Sequence, residues 1–389
     1  MIGLIVGAGK ESIFAIKQAQ KQGLYVVGFD GDSKAEGLKW VDEPYVVDIR
    51  EPERIYRILD EKGLSKEEMV IVPSPIGRCL TTIGAINSHY NILGVRYKTS
   101  NILTDKFLFH ETMKKHGLRN TECKLFSKGL HDIKVDSYPV IVKPRFGAGS
   151  RSVQIISNKS ELDGFIYLSP YDEDYIIESY VDGIEYGVDG IIIQNKLYII
   201  LIRKKINTDP PFCQCVGYIS IEDEQGELTN RIYGKLLAML EIAKLKDGII
   251  HADIIDDGKD IFVIEMSARP AGHYLYDLFT PKVTGINVIE EFLKYAMTGR
   301  VDINKKRSDG YIYILHFFDI NDQIVKRIPN ESKLREKYPI EDYISFVQLG
   351  KAVKIVDGKS LIGRGFFVLK GKSEKELLDN CTELVNEFI

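Results

Sequence analysis

Two stretches of this 389-residue chain gather acids, bases and glycines at spacings that could do chemistry. The first is GIIHADIIDDGKDIFVIEMSARPAGH, Gly248 to His273. Ile249 to Ile255 and Ile261 to Met266 read as two strands around an Asp256-Asp257-Gly258 turn. Side chains alternate along a strand, so His251, Asp253 and Ile255 share one face, and Glu265 and Ser267 share one face of the partner. An acid on each of two adjacent strands, pointing the same way, makes a hard oxygen site suited to magnesium. Carboxylates placed that close repel unless a cation joins them. Arg269, just beyond, favours an anionic acyl phosphate or a substrate carboxylate.

The second stretch is YPVIVKPRFGAGSRSVQI, Tyr138 to Ile155. Val140, Ile141 and Val142 form a short buried strand with Lys143 at its end. In FGAGSRS, Gly147 and Gly149 let the backbone turn sharply and approach a ligand. Ser150, Arg151 and Ser152 add hydroxyl and guanidinium donors. Val153, Ile155 and Ile156 start the returning strand. Such a hairpin suits the covering of a polyphosphate, with backbone N–H groups facing the oxygens and the lysine supplying a point charge. It also fits an ordinary exposed hairpin, and the rest of the chain has to decide.

The elements that must position these residues are legible along the chain. Ile2 to Val6 is an apolar strand running into Gly7-Ala8-Gly9, Ser12 to Gln22 a helix, Tyr25 to Phe29 a second strand and Tyr45 to Val47 a third. This is a right-handed βαβ start. Ser12 stands where a dinucleotide fingerprint has its third glycine, and Glu11 follows Lys10 where a Walker A loop needs Ser or Thr. The start therefore reads as a Rossmann-like element without a proven dinucleotide. Pro52 to Lys62 reads as a helix and Met69 to Val72 as a strand. Pro73-Ser74-Pro75-Ile76-Gly77 lies at its carboxyl end, where open α/β sheets bind ligands, with Ser74 read as a turn residue. Gly94 and the polar run Lys98 to Asn101 mark a boundary.

Thr104 or Asp105 caps a helix from Lys106 to His116, closed by Gly117. Lys106 opposes the helix dipole in the first turn, which hints at a ligand. Tyr175 to Ser179 is a strand carrying Glu178 near its end, and Glu185 lies across the following turn. Glu178 could meet an adenine amino group through its neighbouring backbone, and Glu185 ribose hydroxyls; ordinary turn acids are the alternative. Lys196 to Ile202 is another strand, and Arg203-Lys204-Lys205 reads as a cationic cluster or a solvated edge. Asn207 to Phe212, with Pro210-Pro211, reads as a semi-rigid arm. Thr229 to Lys244 is a long amphipathic helix.

Composition narrows the class. With 44% hydrophobic and 28% charged residues the chain reads as soluble and globular, and its length calls for two or three domains. A net charge of −4 gives no electrostatic case for nucleic acid. No stretch approaches the ~20 apolar residues of a membrane helix, and MIGLIVGAGKES lacks the basic region of a signal peptide. Five scattered cysteines suggest reduced thiols in a cytoplasm. Cys213 and Cys215 would share a strand face without a second pair to complete a zinc site.

Taken together the pieces resemble the ATP-grasp superfamily over nearly the whole chain. The matching landmarks are Asp105-Lys106, VKP with its glycine loop at Val142 to Ser152, IIESYVDGIEYGVDG, and HADI…VIEMSARPAG. The last segment, with GRGFFVLKGKSEKELL, resembles the closing subdomain of biotin-carboxylase-like and L-amino-acid-ligase-like members. The resemblance implies an α/β fold: a Rossmann-like domain over 1–100, a central ATP-grasp α+β domain over 101–300 and a small α+β subdomain over 301–389. It implies that Lys106 and Lys143, with Lys205 as a third, hold the ATP phosphates under the loop Gly147, Gly149, Ser150 and Ser152. Glu178, Ser179 and Val181 would frame the adenine and Glu185 the ribose. Asp253 and Glu265, with Ser267 where an Asn is common, would bind magnesium, with manganese as an alternative. Arg269 would meet the phosphoryl group in flight and, with Gly272 and His273, border the acceptor site.

The reaction so implied is ATP-dependent joining of a small carboxylate to an amine, in an amino-acid or peptide ligase. His251 or His273 could serve as base. The rivals are a bicarbonate-activating carboxylase, a nucleotide-binding module without turnover, and an oxidoreductase using the first domain. Asp253, one methylene shorter than the family's usual Glu, and Ser267 are the departures that favour the module. Relatives are often dimers.

Overall fold

A computed structural model describes residues 1–389 except 120, 128–132, 148, 150–151, 169–172, 210–213, 222–225, 305–309, 321–322 and 352–357; of 358–359 it describes the backbone alone. Ser150, Arg151, Cys213 and the Pro210-Pro211 arm lie outside the described residues.

The N-terminal domain is a four-stranded parallel sheet. Its strands are β1 (Ile2–Val6), β2 (Tyr25–Asp30), β3 (Glu43–Val46) and β4 (Met69–Ile71), in the order β3-β2-β1-β4. The near-continuous apolar runs of β1 and β4 are what a sheet covered on both faces requires, and Leu4, Ile5 and Val6 are fully buried. The turn after β1 is a 3-10 segment, Lys10–Ser12, leading into the helix Ile13–Lys21. The Ala8 N–H, which a bound pyrophosphate would need, donates to Asp30 Oδ2 at 2.7 Å, and the Ala8 carbonyl accepts from Gly37 N at 2.7 Å. The turn is thus packed by its own chain.

The polar run Lys98 to Asn101 is not a linker. It lies within a helix, Tyr97–Thr104, packed against the helix Leu80–His89. Thr99 and Ser100 are buried because their hydroxyls are satisfied by backbone: Thr99 donates to the Ala243 carbonyl at 2.7 Å and Ser100 to that of Tyr97 at 2.8 Å. Polar residues that bond locally look like a surface run in sequence.

A small antiparallel sheet follows. It contains β5 (Cys123–Phe126), β6 (Val140–Pro144), β7 (Gln154–Ile156) and β8 (Tyr175–Ser179), in the order β5-β8-β6-β7. The glycine loop joins β6 to β7. Opposite it stands an eight-stranded antiparallel sheet, β13-β12-β9-β10-β11-β14-β16-β15. Its strands are β9 (Ile184–Ile193), β10 (Lys196–Asn207), β11 (Cys215–Ser220), β12 (Gly248–Asp256), β13 (Ile261–Ser267), β14 (Ile312–Phe317), β15 (Ile340–Ser345) and β16 (Gly365–Gly371). The last three come from the C-terminal segment. They continue the central sheet, because β14 pairs with β11 through Gly217↔His316 to Ile219↔Ile314. β10 is longer than its apolar run suggests and takes in Arg203, Lys204 and Lys205. These are interior strand residues, not a solvated edge. Among the described residues no helix is long and apolar enough to cross a membrane.

Candidate active site

β12 and β13 pair with Asp253 opposite Glu265 and His251 opposite Ser267, and the register slips immediately after Asp253. A bulge at that point re-aims the acid, as bulges beside sites commonly do. Asp253 and Glu265 both line a cavity of about 600 Å³ between the two antiparallel sheets and the N-terminal domain. Lys106, Lys143 and Lys205 line it too, as do Gly147, Gly149, Val181 and Glu185, with Arg269, Gly272 and His273 at one end. Residues as far apart in the chain as Lys106 and His273 therefore face one space. Ser152 is exposed away from it, and Ser179 and Ser267 are not on its wall. Ser267 is buried at the end of β13, so the metal-binding oxygens on offer are those of Asp253 and Glu265.

Each acid has a lysine. Lys106 Nζ lies 3.4 Å from Glu265 Oε2 and donates to the Gly147 carbonyl at 2.7 Å. It is presented by Asp105, which caps the helix by accepting from Phe107 N and Leu108 N and is gripped by Arg145 at 2.6 Å. Lys205 Nζ lies 3.4 Å from Asp253 Oδ2 and also pairs with Glu185. Burial opposes its charge, but Asp253 and Glu185 outweigh that and hold the ammonium well above the usual lysine range. Asn207 bonds the second Glu185 oxygen at 2.6 Å. Burial works against the Asp253 carboxylate likewise, and Lys205, His251 and Arg203 keep it below its ordinary range. Two carboxylates facing the same space form an oxygen donor set that fits magnesium or manganese.

Glu178 is expected at the adenine through its neighbouring backbone, and its side chain is engaged elsewhere. Its carboxylate is buried off the cavity wall, where Lys143 Nζ at 2.5 Å, Arg119 Nη2 at 2.9 Å and His110 Nδ1 at 3.3 Å converge on it. Burial pushes Glu178 up, and Arg119 and Lys143 more than reverse this. Lys143 Nζ is buried, and beyond Glu178 it has no partner among the described residues. Arg119 also donates to the Val263 carbonyl of β13 at 2.9 Å, tying the small sheet to the strand that carries Glu265. His110, Cys123 and Glu178 form the one cluster of three metal-type donors among the described residues. With Lys143 and Arg119 already on its carboxylate, that cluster repels a further cation.

Sequence reasoning missed two features. Glu11, noticed only as the residue that breaks a Walker A pattern, crosses from the N-terminal domain into the cavity. Its Oε1 accepts from His273 N at 2.9 Å, and its carbonyl accepts from the Tyr276 hydroxyl. A Cβ at Gly272 would sit 3.0 Å from Glu11 Oε1, so a larger residue there would crowd that carboxylate. The signal was available: Glu11 follows the carboxyl end of β1, where open sheets place ligand contacts. The second feature is a buried support. Asp189 accepts from Arg203 Nη2 at 3.0 Å, from Thr280 Oγ1 at 2.8 Å and from His251 Nδ1 at 3.1 Å. His251 thus shows its Nε2 to Asp253 Oδ1, 3.6 Å away. Gly187 admits the guanidinium, since a Cβ there would lie 3.1 Å from Arg203 Nη2.

His273 and Tyr274 both sit at positive φ, 60° and 61°, and a π-helical turn follows over Leu275–Phe279. Strain of this kind collects at functional sites. Burial, with Arg269, Lys205 and His251 nearby, pushes the His273 imidazole below its ordinary range against the pull of Glu11, so it is neutral near pH 7. In the same turn, burial and the Glu11 carboxylate push Asp277 up to about 6. Its folded value lies above the 3.8 of an unfolded aspartate. The associated stability is complete below pH 3.8 and is lost as pH rises through about 6. Asp277→Asn should therefore be more stable than wild type at pH 8, by about 3 kcal/mol. The difference should shrink towards pH 4 in urea denaturation, and a pH-independent difference would contradict it.

Residues 136–277 match the family described as an ATP-grasp domain. The chain carries an ATP-grasp domain over these residues, which take in the glycine loop and the strands from β6 to β13. The chain is similar to the L-amino acid ligase from Bacillus licheniformis, whose crystal structure superposes with a TM-score of 0.79 at 18% identity, covering 100% of this chain and 98% of that one. It is 25% identical over 213 residues to D-alanine–D-alanine ligase of Sulfurimonas denitrificans, covering 51% of this chain and 61% of the relative. It is 22% identical over 207 residues to the carbamoyl phosphate synthase large chain of Clostridium acetobutylicum, covering 51% of this chain. The match spans only 19% of that large chain.

Proposed function

We propose that the protein is an ATP-dependent carboxylate–amine ligase acting on amino acids or peptides. The observation that carries this is the convergence of Lys106, Lys143, Lys205, Asp253, Glu265 and Arg269 on one cavity. The lysines meet the phosphates, and the glycine loop, through Gly147 and Gly149, covers them. Val181 and the backbone around it border the base, and Glu185 the ribose. Asp253 and Glu265 would hold magnesium, which when bound draws charge from the phosphoryl oxygens.

A carboxylate oxygen attacks the γ-phosphorus, the bond to the β-phosphate oxygen breaks, and ADP leaves with that electron pair. Arg269 stands where the acyl phosphate forms. The amine nitrogen then attacks the acyl carbon, the C–O bond to phosphate breaks, and inorganic phosphate departs. Neutral His273 is placed to take the amine proton, and Glu11 offers the incoming ammonium an anionic partner. The protein's own contribution is positioning and charge neutralisation. Cys79, Cys123, Cys215 and Cys381 are free thiols, which fits a reducing cytoplasm.

Phosphate release should be screened with ATP, magnesium and pairs of amino acids. We expect ADP and phosphate in equal amounts, only when a suitable pair is present. Hydrolysis stimulated by bicarbonate alone would establish a carboxylase instead. ATP binding without ADP release under every substrate mixture would establish a binding module.

A further inference from the structure

Arg78 closes the N-terminal-domain loop whose Pro75, Ile76 and Gly77 line the cavity. Its guanidinium lies over the Phe146 ring, 3.8 Å from the centroid. Among the described residues it makes no ion pair. Phe146 is the first residue of the glycine loop. It follows Arg145, which is fixed by Asp105 at 2.6 Å and Asp174 at 3.1 Å, and whose guanidinium is 5.1 Å from the same ring. It precedes Gly147, whose carbonyl receives Lys106 Nζ at 2.7 Å. The base of the loop is therefore anchored on one side by the residues that present Lys106. On the other side it meets a cation from a different domain.

We infer that Arg78 is a positioning residue for the nucleotide: its stack on Phe146 holds the base of the glycine loop over the phosphate end of the cavity. This rests on the nucleotide half of the proposed function and adds a residue that neither the motifs nor the cavity wall assigns. An arginine face on an aromatic ring is attractive because the ring quadrupole is negative at its face. The contact reaches across two domains, so without it Gly147 is held from the Lys106 side alone. Lysine can make a weaker version of the contact.

The test is binding of a non-hydrolysable ATP analogue with magnesium to wild type, Arg78→Ala, Arg78→Lys, Phe146→Ala and the double alanine variant. Arg78→Ala and Phe146→Ala should each weaken binding by about five- to tenfold, the double variant no further, and Arg78→Lys should recover part of the loss. Wild-type affinity in Arg78→Ala, or losses that multiply in the double variant, would overturn the inference. Limited proteolysis of the nucleotide-free proteins, with cleavage mapped by mass between residues 145 and 153, gives a readout that needs no ligand. Faster cleavage in Arg78→Ala supports the inference, and equal cleavage overturns it. If no variant binds nucleotide, the ligase reading fails while the proteolysis still decides the role of Arg78.

Discussion

If the proposed function holds, Glu265→Gln is expected to lower turnover about a thousandfold, because it would remove one of the two carboxylates proposed to hold magnesium and with it several kcal/mol of charge stabilisation at the phosphoryl group. The substitution keeps the shape of the side chain, and Glu265 is partly exposed on the cavity wall, so the melting temperature should hardly move. Lys106, 3.4 Å away, loses one counter-charge but keeps its bond to the Gly147 carbonyl. Nucleotide binding in the absence of metal should therefore survive. Phosphate release measured at saturating magnesium gives the answer, and a rate within tenfold of wild type would remove Glu265 from the chemistry.

Asp189→Ala should produce the largest loss of stability. Arg203 is 0% exposed and Asp189 4%. The cost of burying the guanidinium is offset only because Asp189 faces it with both oxygens. Burial raises the Asp189 carboxyl, and Arg203 and His251 override that and hold it far below the carboxylate range. Breaking a buried pair from one side typically costs about 3–5 kcal/mol, since the remaining charge has no water to turn to. Urea denaturation should show this loss. Replacing both residues, as in Asp189→Ala with Arg203→Met, should restore much of it. A double variant as unstable as the single one would mean that packing, not charge, holds this layer.

The sequence carried much of the site and less of its foundations. Apolar runs and turn residues were enough to place β1, β4, β8, β12 and β13. Alternation along β12 and β13 was enough to set Asp253 and Glu265 on a common face, which the register confirms. Lys106 stood out because it opposes the dipole of its helix, and Lys143 because it ends a strand at the base of a glycine-rich hairpin. Other features had no local signature. Arg203 resembles a surface cation until Asp189 is placed opposite it by the pairing of β9 with β10, and that pairing depends on contacts across the sheet. Glu178 reads as a turn acid in sequence, because the three partners that draw it inward lie 35 to 68 positions upstream (Lys143, Arg119 and His110). The junction of β11 with β14 joins segments almost a hundred residues apart, and no periodicity records it.

That junction has a mechanical consequence. Eight strands hydrogen-bonded edge to edge from Glu265 to the C-terminal segment behave as one stiff plate, so the final strands cannot swing as an independent flap. The small sheet meets the plate instead through side-chain bridges such as those of Lys106 and Arg119. Such polar bridges can be exchanged for water at little cost, whereas a ladder of backbone bonds cannot.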